Sequence, residues 1–285
     1  MATSQIYPLE LIDETLDINA TDNYDLTLEL SEEGLSLAVL DLLRGKYVML
    51  RHYPLEITAN GAPSSYSDII NSDDFLKRKY SKVFIILPTQ LFTLVPSSVY
   101  EPGLKEDYFH FNFNVPEKTI VLSNSLPFPE AEVIFSPGDN IINSININWR
   151  EVTPWHHTKT LLQHVWSACR SSENNYIHCH FEKSFVTLII MEKRNLTFCN
   201  SFPVTAGTDA AYFLFNVLDR KEIRNDETIH VSGTVEPYSE THLSLLNFSP
   251  DIKFASPVIR HSFSYVMNEI HLHRWLNLFT AASCE

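Results

Sequence analysis

The chain has 285 residues, 44% of them hydrophobic, with 18 Phe and 12 Tyr. That is enough apolar material for two domains with cores of their own, and it excludes a disordered chain. A formal net charge of −14 repels phosphate groups, so nucleic acid and anionic lipid are not expected partners, and 7 Gly leave little for glycine-rich phosphate loops.

The N-terminal run Met1-Ala-Thr-Ser-Gln-Ile-Tyr-Pro8 turns acidic at Glu10, Asp13 and Glu14. It lacks a basic region followed by an apolar one, so no signal peptide is expected. No stretch approaches the roughly 18 consecutive apolar residues of a membrane helix. Cys169, Cys179, Cys199 and Cys284 show no CxxC spacing. They read as buried free thiols of a reducing compartment, and a cytoplasmic location is expected.

From Tyr24 the chain alternates, with Leu26, Leu28 and Leu30 on one face, then turns at Ser31-Glu32-Glu33-Gly34. Leu35, Leu37 and Val39 alternate as a second strand, Arg44-Gly45-Lys46 turns again, and residues 47–56 read as a third strand. Period-two alternation between tight polar turns predicts a β-meander. A helix is expected near residues 66–80 and an apolar strand at Lys82–Leu87. Extended segments follow near 108–113, 119–125 and 131–135. The aromatic alternation of Tyr108-Phe-His-Phe-Asn-Phe113 predicts an edge strand, either a partner-binding surface or a row of core aromatics. Residues 158–170 read as a helix joining two halves.

The meander recurs from Tyr176. Ile177, Cys179 and Phe181 alternate, Glu182-Lys183-Ser184 turns, residues 185–191 are almost unbroken apolar, and Leu196, Phe198, Asn200 and Phe202 alternate. The third strands end alike, at Tyr53-Pro54-Leu55 and Phe202-Pro203-Val204. Duplication is the natural reading. Next come a helix capped by Thr208, a strand at 228–232 closed by Gly233, a helix at 239–246, a strand at 252–255 and an amphipathic segment over 262–278. The second half therefore reads βββ-α-β-α-β-α.

This order resembles the duplicated ribonuclease-H-like core of the actin, hexokinase and Hsp70 superfamily. The chain also resembles a bacterial family, domain of unknown function 3822. The resemblance rests on Thr93-Leu94-Val95-Pro96, the His157-Thr158…Leu161-Leu162 helix start, Asn200-Ser201-Phe202 leading to Asp209-Ala-Ala-Tyr212, and Val231-Ser232-Gly233-Thr234. It implies an α/β (α+β) protein of actin-like ATPase architecture. Residues 1–154 would be an N-terminal subdomain with extra β segments, and 155–285 a C-terminal ribonuclease-H-like subdomain.

That architecture implies a nucleotide in the cleft between halves, its phosphates held by the first hairpin turn of each. There an Asp serves the metal, and Gly lets backbone N–H groups approach. The two turns here read Ser31-Glu-Glu-Gly34 and Glu182-Lys-Ser184, and the chain nowhere contains Asp-x-Gly. The adenosine turn has one glycine, in Ser232-Gly233-Thr234, where the architecture implies two. No cofactor is therefore expected, ATP with magnesium being the one the fold would otherwise take.

The leading expectation is a non-catalytic interaction or scaffold module with an unidentified protein partner. The alternative is a nucleotide- or small-anion-binding protein or ATPase. It would use Ser31, Gly34, Lys183, Ser184, Ser232, Gly233 and Thr234 in the interdomain cleft. His178, His180 and His230 would share one sheet face, where imidazole suits zinc. Against this stands their reading as buried histidines hydrogen-bonded to neighbours. His271-x-His273 and His156-His157 are weaker signals, the latter pair reading as a helix flank or cap.

Overall fold

A computed structural model describes residues 9–55, 65–170, 174–224 and 227–284. The N-terminal run read above, residues 1–8, and the end of the predicted third strand at Glu56 lie outside them. The chain order begins with β1 (Leu9–Ile12), β2 (Tyr24–Ser31), β3 (Gly34–Asp41), β4 (Lys46–Pro54), α1 (Tyr66–Ser72) and β5 (Lys82–Leu87). It continues through β6 (Phe92–Pro96), α2 (Lys105–Asn112), β7 (Leu122–Pro127), β8 (Glu130–Phe135), α3 (Asp139–Ile145) and β9 (Trp155–His156). Then come α4 (His157–Ala168), β10 (Tyr176–Phe181), β11 (Phe185–Glu192), β12 (Asn195–Pro203), α5 (Asp209–Arg220) and β13 (Ile229–Gly233). The chain closes with α6 (Glu240–Leu246), β14 (Ile252–Phe254), β15 (Ser262–Phe263) and α7 (Leu276–Thr280).

Both meanders form as read. The first sheet has the order β1-β4-β3-β2-β5-β9, with β15 added beside β4, and the second has β12-β11-β10-β13-β14. Numbered from the start of each meander, both contain the path 3-2-1-4-5. The fifth strand of the first sheet is only Trp155–His156, too short for any alternation to reveal. Between its fourth and fifth strands the chain builds a separate antiparallel sheet, β6-β8-β7. Strands β9 and β15 bring residues 155–156 and 262–263 into the first sheet.

Burial follows the alternation and exceeds it. Leu26, Leu28 and Leu30 join the larger core with Leu35, Leu37, Leu161, Leu162, Val165 and Ile189. The opposite face of β2 is buried as well, including Thr27 and Glu29, because α7 packs on β2 and β3. A second core fills the far side of the second sheet, where Ala210, Ala211, Leu214 and Leu218 of α5 meet Ile177, Cys179 and Val231.

Several elements differ from expectation. The edge strand predicted at 108–113 is a helix, α2. Pro102 opens a 3-10 turn ahead of it, and Glu106 and Asp107 sit in its first turn, where acidic groups suit the helix dipole. Phe109 and Phe113, four apart, pack with ring centroids 4.9 Å apart and rings tilted by 47°, while Phe111 points outward at 90% exposure. The helix expected over 66–80 stops at Ser72, where Asp73 takes extended backbone geometry and its carboxylate accepts from the Phe75 N–H. The segment over 262–278 is no continuous helix. It runs as β15, two 3-10 turns and the start of α7. Thr208 precedes α5 without a side-chain cap bond. Instead the Asp209 carboxylate accepts from the Thr205 and Ala206 N–H groups. His156 does cap α4, accepting from the Thr158 N–H at 3.3 Å.

Candidate functional site

The two hairpin turns meet. Ser184 Oγ, in the turn between β10 and β11, donates to Glu32 Oε1, in the turn between β2 and β3, at 2.8 Å. The neighbouring Glu33 accepts from Arg274 at 3.0 Å, and the same guanidinium reaches Glu236 at 3.1 Å. Each carboxylate of the Ser-Glu-Glu-Gly turn therefore already holds a protein partner. The residue between Glu182 and Ser184, Lys183, is exposed.

Behind the turns lies a buried polar layer joining the halves. It draws Glu29 from β2, His180 from β10, Glu182 from the second turn, Ser232 from β13 and Asn277 from α7. Asn277 Nδ2 is 3.2 Å from His180 Nε2, and Asn277 Oδ1 is 2.8 Å from the Thr160 hydroxyl. His180 Nε2 is 3.1 Å from Glu182 Oε1. Ser232 Oγ lies 2.8 Å from both His180 Nδ1 and His178 Nε2. On the neighbouring strand, His157 Nε2 meets Thr187 Oγ1 at 2.8 Å, and Thr187 meets Ser201 Oγ at 2.7 Å.

Burial sets the charge states. It raises the Glu29 carboxyl to about 8, helped by the nearby Glu182. It raises Glu182 to about 8, helped by Glu33 and Glu32. The same burial lowers His180 to about 4 and holds His157 and His178 well below the usual imidazole range. At neutral pH the layer is therefore uncharged. One proton arrangement uses every close contact of the chain Glu182–His180–Ser232–His178. Glu182 O–H donates to His180 Nε2, His180 Nδ1–H to Ser232, and the Ser232 O–H to His178 Nε2. His178 Nδ1 and Glu29 Oε2 end the network buried and without a hydrogen-bond partner among the described residues.

The seven cleft candidates divide among these features. Ser31 and Ser184 line a cavity of about 370 Å³ between the first turn, the Pro88–Leu91 segment after β5 and the Ser136–Gly138 segment after β8. Among the described residues its one charged lining residue is Glu32, so an anion there meets repulsion. Ser232 is wholly buried in the histidine network. Gly34 and Gly233 admit protein backbone. A Cβ on Gly34 would stand 2.0 Å from the Tyr53 carbonyl oxygen, and one on Gly233 2.0 Å from that of Phe181. The Thr234 N–H donates to the same Phe181 oxygen at 2.9 Å. At the turns, Glu32 and Glu33 are each held by a protein partner, and the backbone of Gly34 and Gly233 lies against protein carbonyl groups.

Of the histidines on the β10 face, His178 and His180 point at Ser232, while His230 stacks on Tyr176 at 4.2 Å. Among the described residues no group of three or more His, Cys, Asp or Glu is placed to hold a metal ion. The contributions of Glu29, Asn277 and Arg274 were not signalled in the sequence. A carboxylate inside an otherwise Leu-alternating strand, at Glu29, was the one local hint.

The fold is similar to that of a Bacteroides thetaiotaomicron VPI-5482 protein with an actin-like ATPase fold and unknown function. The TM-score is 0.73 at 20% identity, covering 92% of this chain and 98% of that one. It is also similar to a chain of the PilM–PilN type IV pilus biogenesis complex, with a TM-score of 0.56 at 11% identity over 91% of this chain and 98% of that one. No curated protein matches the sequence. No helix among the described residues is long and apolar enough to cross a membrane. A family model described as "Protein of unknown function (DUF3822)" matches residues 13–252, and the chain belongs to that family and has an actin-like ATPase fold.

Proposed function

We propose that this protein is a non-catalytic interaction or scaffold module, an actin-like fold whose interdomain cleft is closed by its own side chains. The observation that carries the reading is the direct Ser184–Glu32 hydrogen bond between the two turns, which occupies the place the fold offers to phosphate. The buried layer of Glu29, Glu182, His180 and Asn277 supports it, since a closed polar interface fixes the halves relative to each other. The PilM–PilN complex contains a chain of similar fold held in a protein assembly, and by that analogy of fold the retained architecture serves partner binding. No disulfide joins the four cysteines among the described residues, which supports a cytoplasmic location.

A ligand that binds only the folded state raises its melting temperature. Thermal unfolding with and without saturating ATP and magnesium therefore tests the reading. The expected result is coincident curves. An ATP-dependent rise would overturn it in favour of a nucleotide-binding protein.

A further inference from the structure

The second sheet ends at β12, and no strand pairs with the outer edge of β12 among the described residues. Such an edge presents unpaired backbone N–H and C=O groups, a template for another strand. Beside it lies a cavity of about 450 Å³ between β12 and α5. Phe198, Asn200 and Phe202 line it from alternate positions of β12, and Phe213 and Val217 from α5. The aromatic floor is ordered. Phe202 stacks on Phe213 at 4.8 Å with rings 13° apart, and on Phe198 at 6.2 Å with rings 6° apart. Tyr212, on the rim, is 66% exposed.

The charge of the groove stands out against the rest of the molecule. Among the described residues its charged lining is Arg220 and Lys221, Lys221 also reaching Glu192 at 3.5 Å, in a chain of net charge −14. An acidic segment is repelled by the protein's overall field and finds its attraction at this end of the groove.

We infer that the β12–α5 groove is a docking site for an extended segment of a partner protein, apolar at alternate positions and carrying a carboxylate that meets Arg220. The segment adds to the free edge of β12 as one more strand. Its backbone hydrogen bonds supply affinity, and its alternate side chains enter the phenylalanine-lined groove. The run from Phe198 to Phe202 accommodates roughly five residues at about 3.3 Å each. This inference rests on the reading of the chain as an interaction module and names the surface that module uses.

Random short peptides displayed on phage and selected on the full chain test it. The expected clones alternate apolar and polar residues and share an acidic position. Synthetic copies bind Arg220→Glu about tenfold more weakly and bind Asn216→Trp, which fills the groove, more weakly still. Both variants keep the wild-type unfolding curve, since Arg220 is exposed and Asn216 borders the cavity. Clones that bind both variants as tightly as wild type overturn the groove while leaving the interaction-module reading in place. An absence of enriched clones also overturns the groove, and the cleft reading is then decided separately by the ATP melting experiment.

Discussion

Glu32 and Ser184 stand 152 positions apart in sequence and meet at 2.8 Å, one from each hairpin turn. The bond is exposed, so its own contribution to stability is small, about 0 to 1 kcal/mol. Its meaning is positional, because it joins the two turns directly, one from each half, beside the cavity that Ser31 and Ser184 line. A double-mutant cycle of Glu32→Ala and Ser184→Ala, followed by urea unfolding, is expected to give a coupling energy below about 1 kcal/mol. Neither variant gains an ATP-dependent rise in melting temperature, because Glu33, Arg274 and the buried layer remain. A rise in either would mean that this one bond is the gate of a working nucleotide site.

Phe109 and Phe111 sit two residues apart on α2 with opposite fates, wholly buried and 90% exposed. Phe109→Ala is expected to cost about 3–5 kcal/mol, and Phe111→Ala less than about 0.5. Chemical denaturation of the two variants checks this. Equal costs would mean that the segment packs as the strand its alternation suggests.

That segment shows where the sequence was ambiguous. Phe109, Phe111 and Phe113 satisfy period two, while Phe109 and Phe113 alone satisfy a helical spacing, and only the tertiary fold decides between them. The meanders were legible because each of their alternations is long and bounded by turns. The structure adds a shared irregularity to them. In each, the pairing of the second with the third strand slips register, between Val39 and Leu40 of β3 and between Ile190 and Met191 of β11, 151 positions apart (190 against 39). The fifth strand of the first sheet was not legible, since two residues carry no period. Nor was the buried layer. Glu29, His180 and Asn277 come from three distant stretches, and nothing local to Asn277 marks it as the residue that seals the halves.

Gly233 ends β13 in a left-handed conformation, φ +84°, against the Phe181 carbonyl. A side chain there is strained by its backbone angle and by the contact. Gly233→Ala is expected to lose about 3 kcal/mol or to fail to accumulate as soluble protein. Gly103→Ala, with no atom within 4 Å of the added carbon, is the control and should be neutral. Wild-type stability in Gly233→Ala would show that β13 can move away from β10, and the site would then be less rigid than its geometry implies.

The buried carboxyls and histidines pull the pH dependence of stability in opposite directions. Glu29 and Glu182 rise from 4.5 to about 8 on folding. The folded state then holds protons that the unfolded state has released, so stability falls as pH climbs from about 4.5 through 8. His180 drops from 6.5 to about 4 and His156 to about 3. For these the unfolded state binds the extra protons, and stability falls as pH drops below 6.5. In the overlap the buried histidines, which include His157, His164 and His178, outnumber the two carboxyls. Maximum stability is therefore expected near pH 6.5, with losses on both sides. Each tenfold step in proton affinity is worth about 1.4 kcal/mol, so the alkaline loss is on the order of a few kcal/mol. Glu29→Gln keeps the shape and the uncharged state of the protonated acid while removing its titration. Urea unfolding of this variant between pH 5 and 9, settings that span the carboxyl window, should show a shallower alkaline limb and a steeper acid limb, because Glu29 no longer offsets the histidines below pH 6.5. An alkaline limb identical to wild type would mean that Glu29 is ionised in the folded protein, with a counter-charge at the interface between the halves.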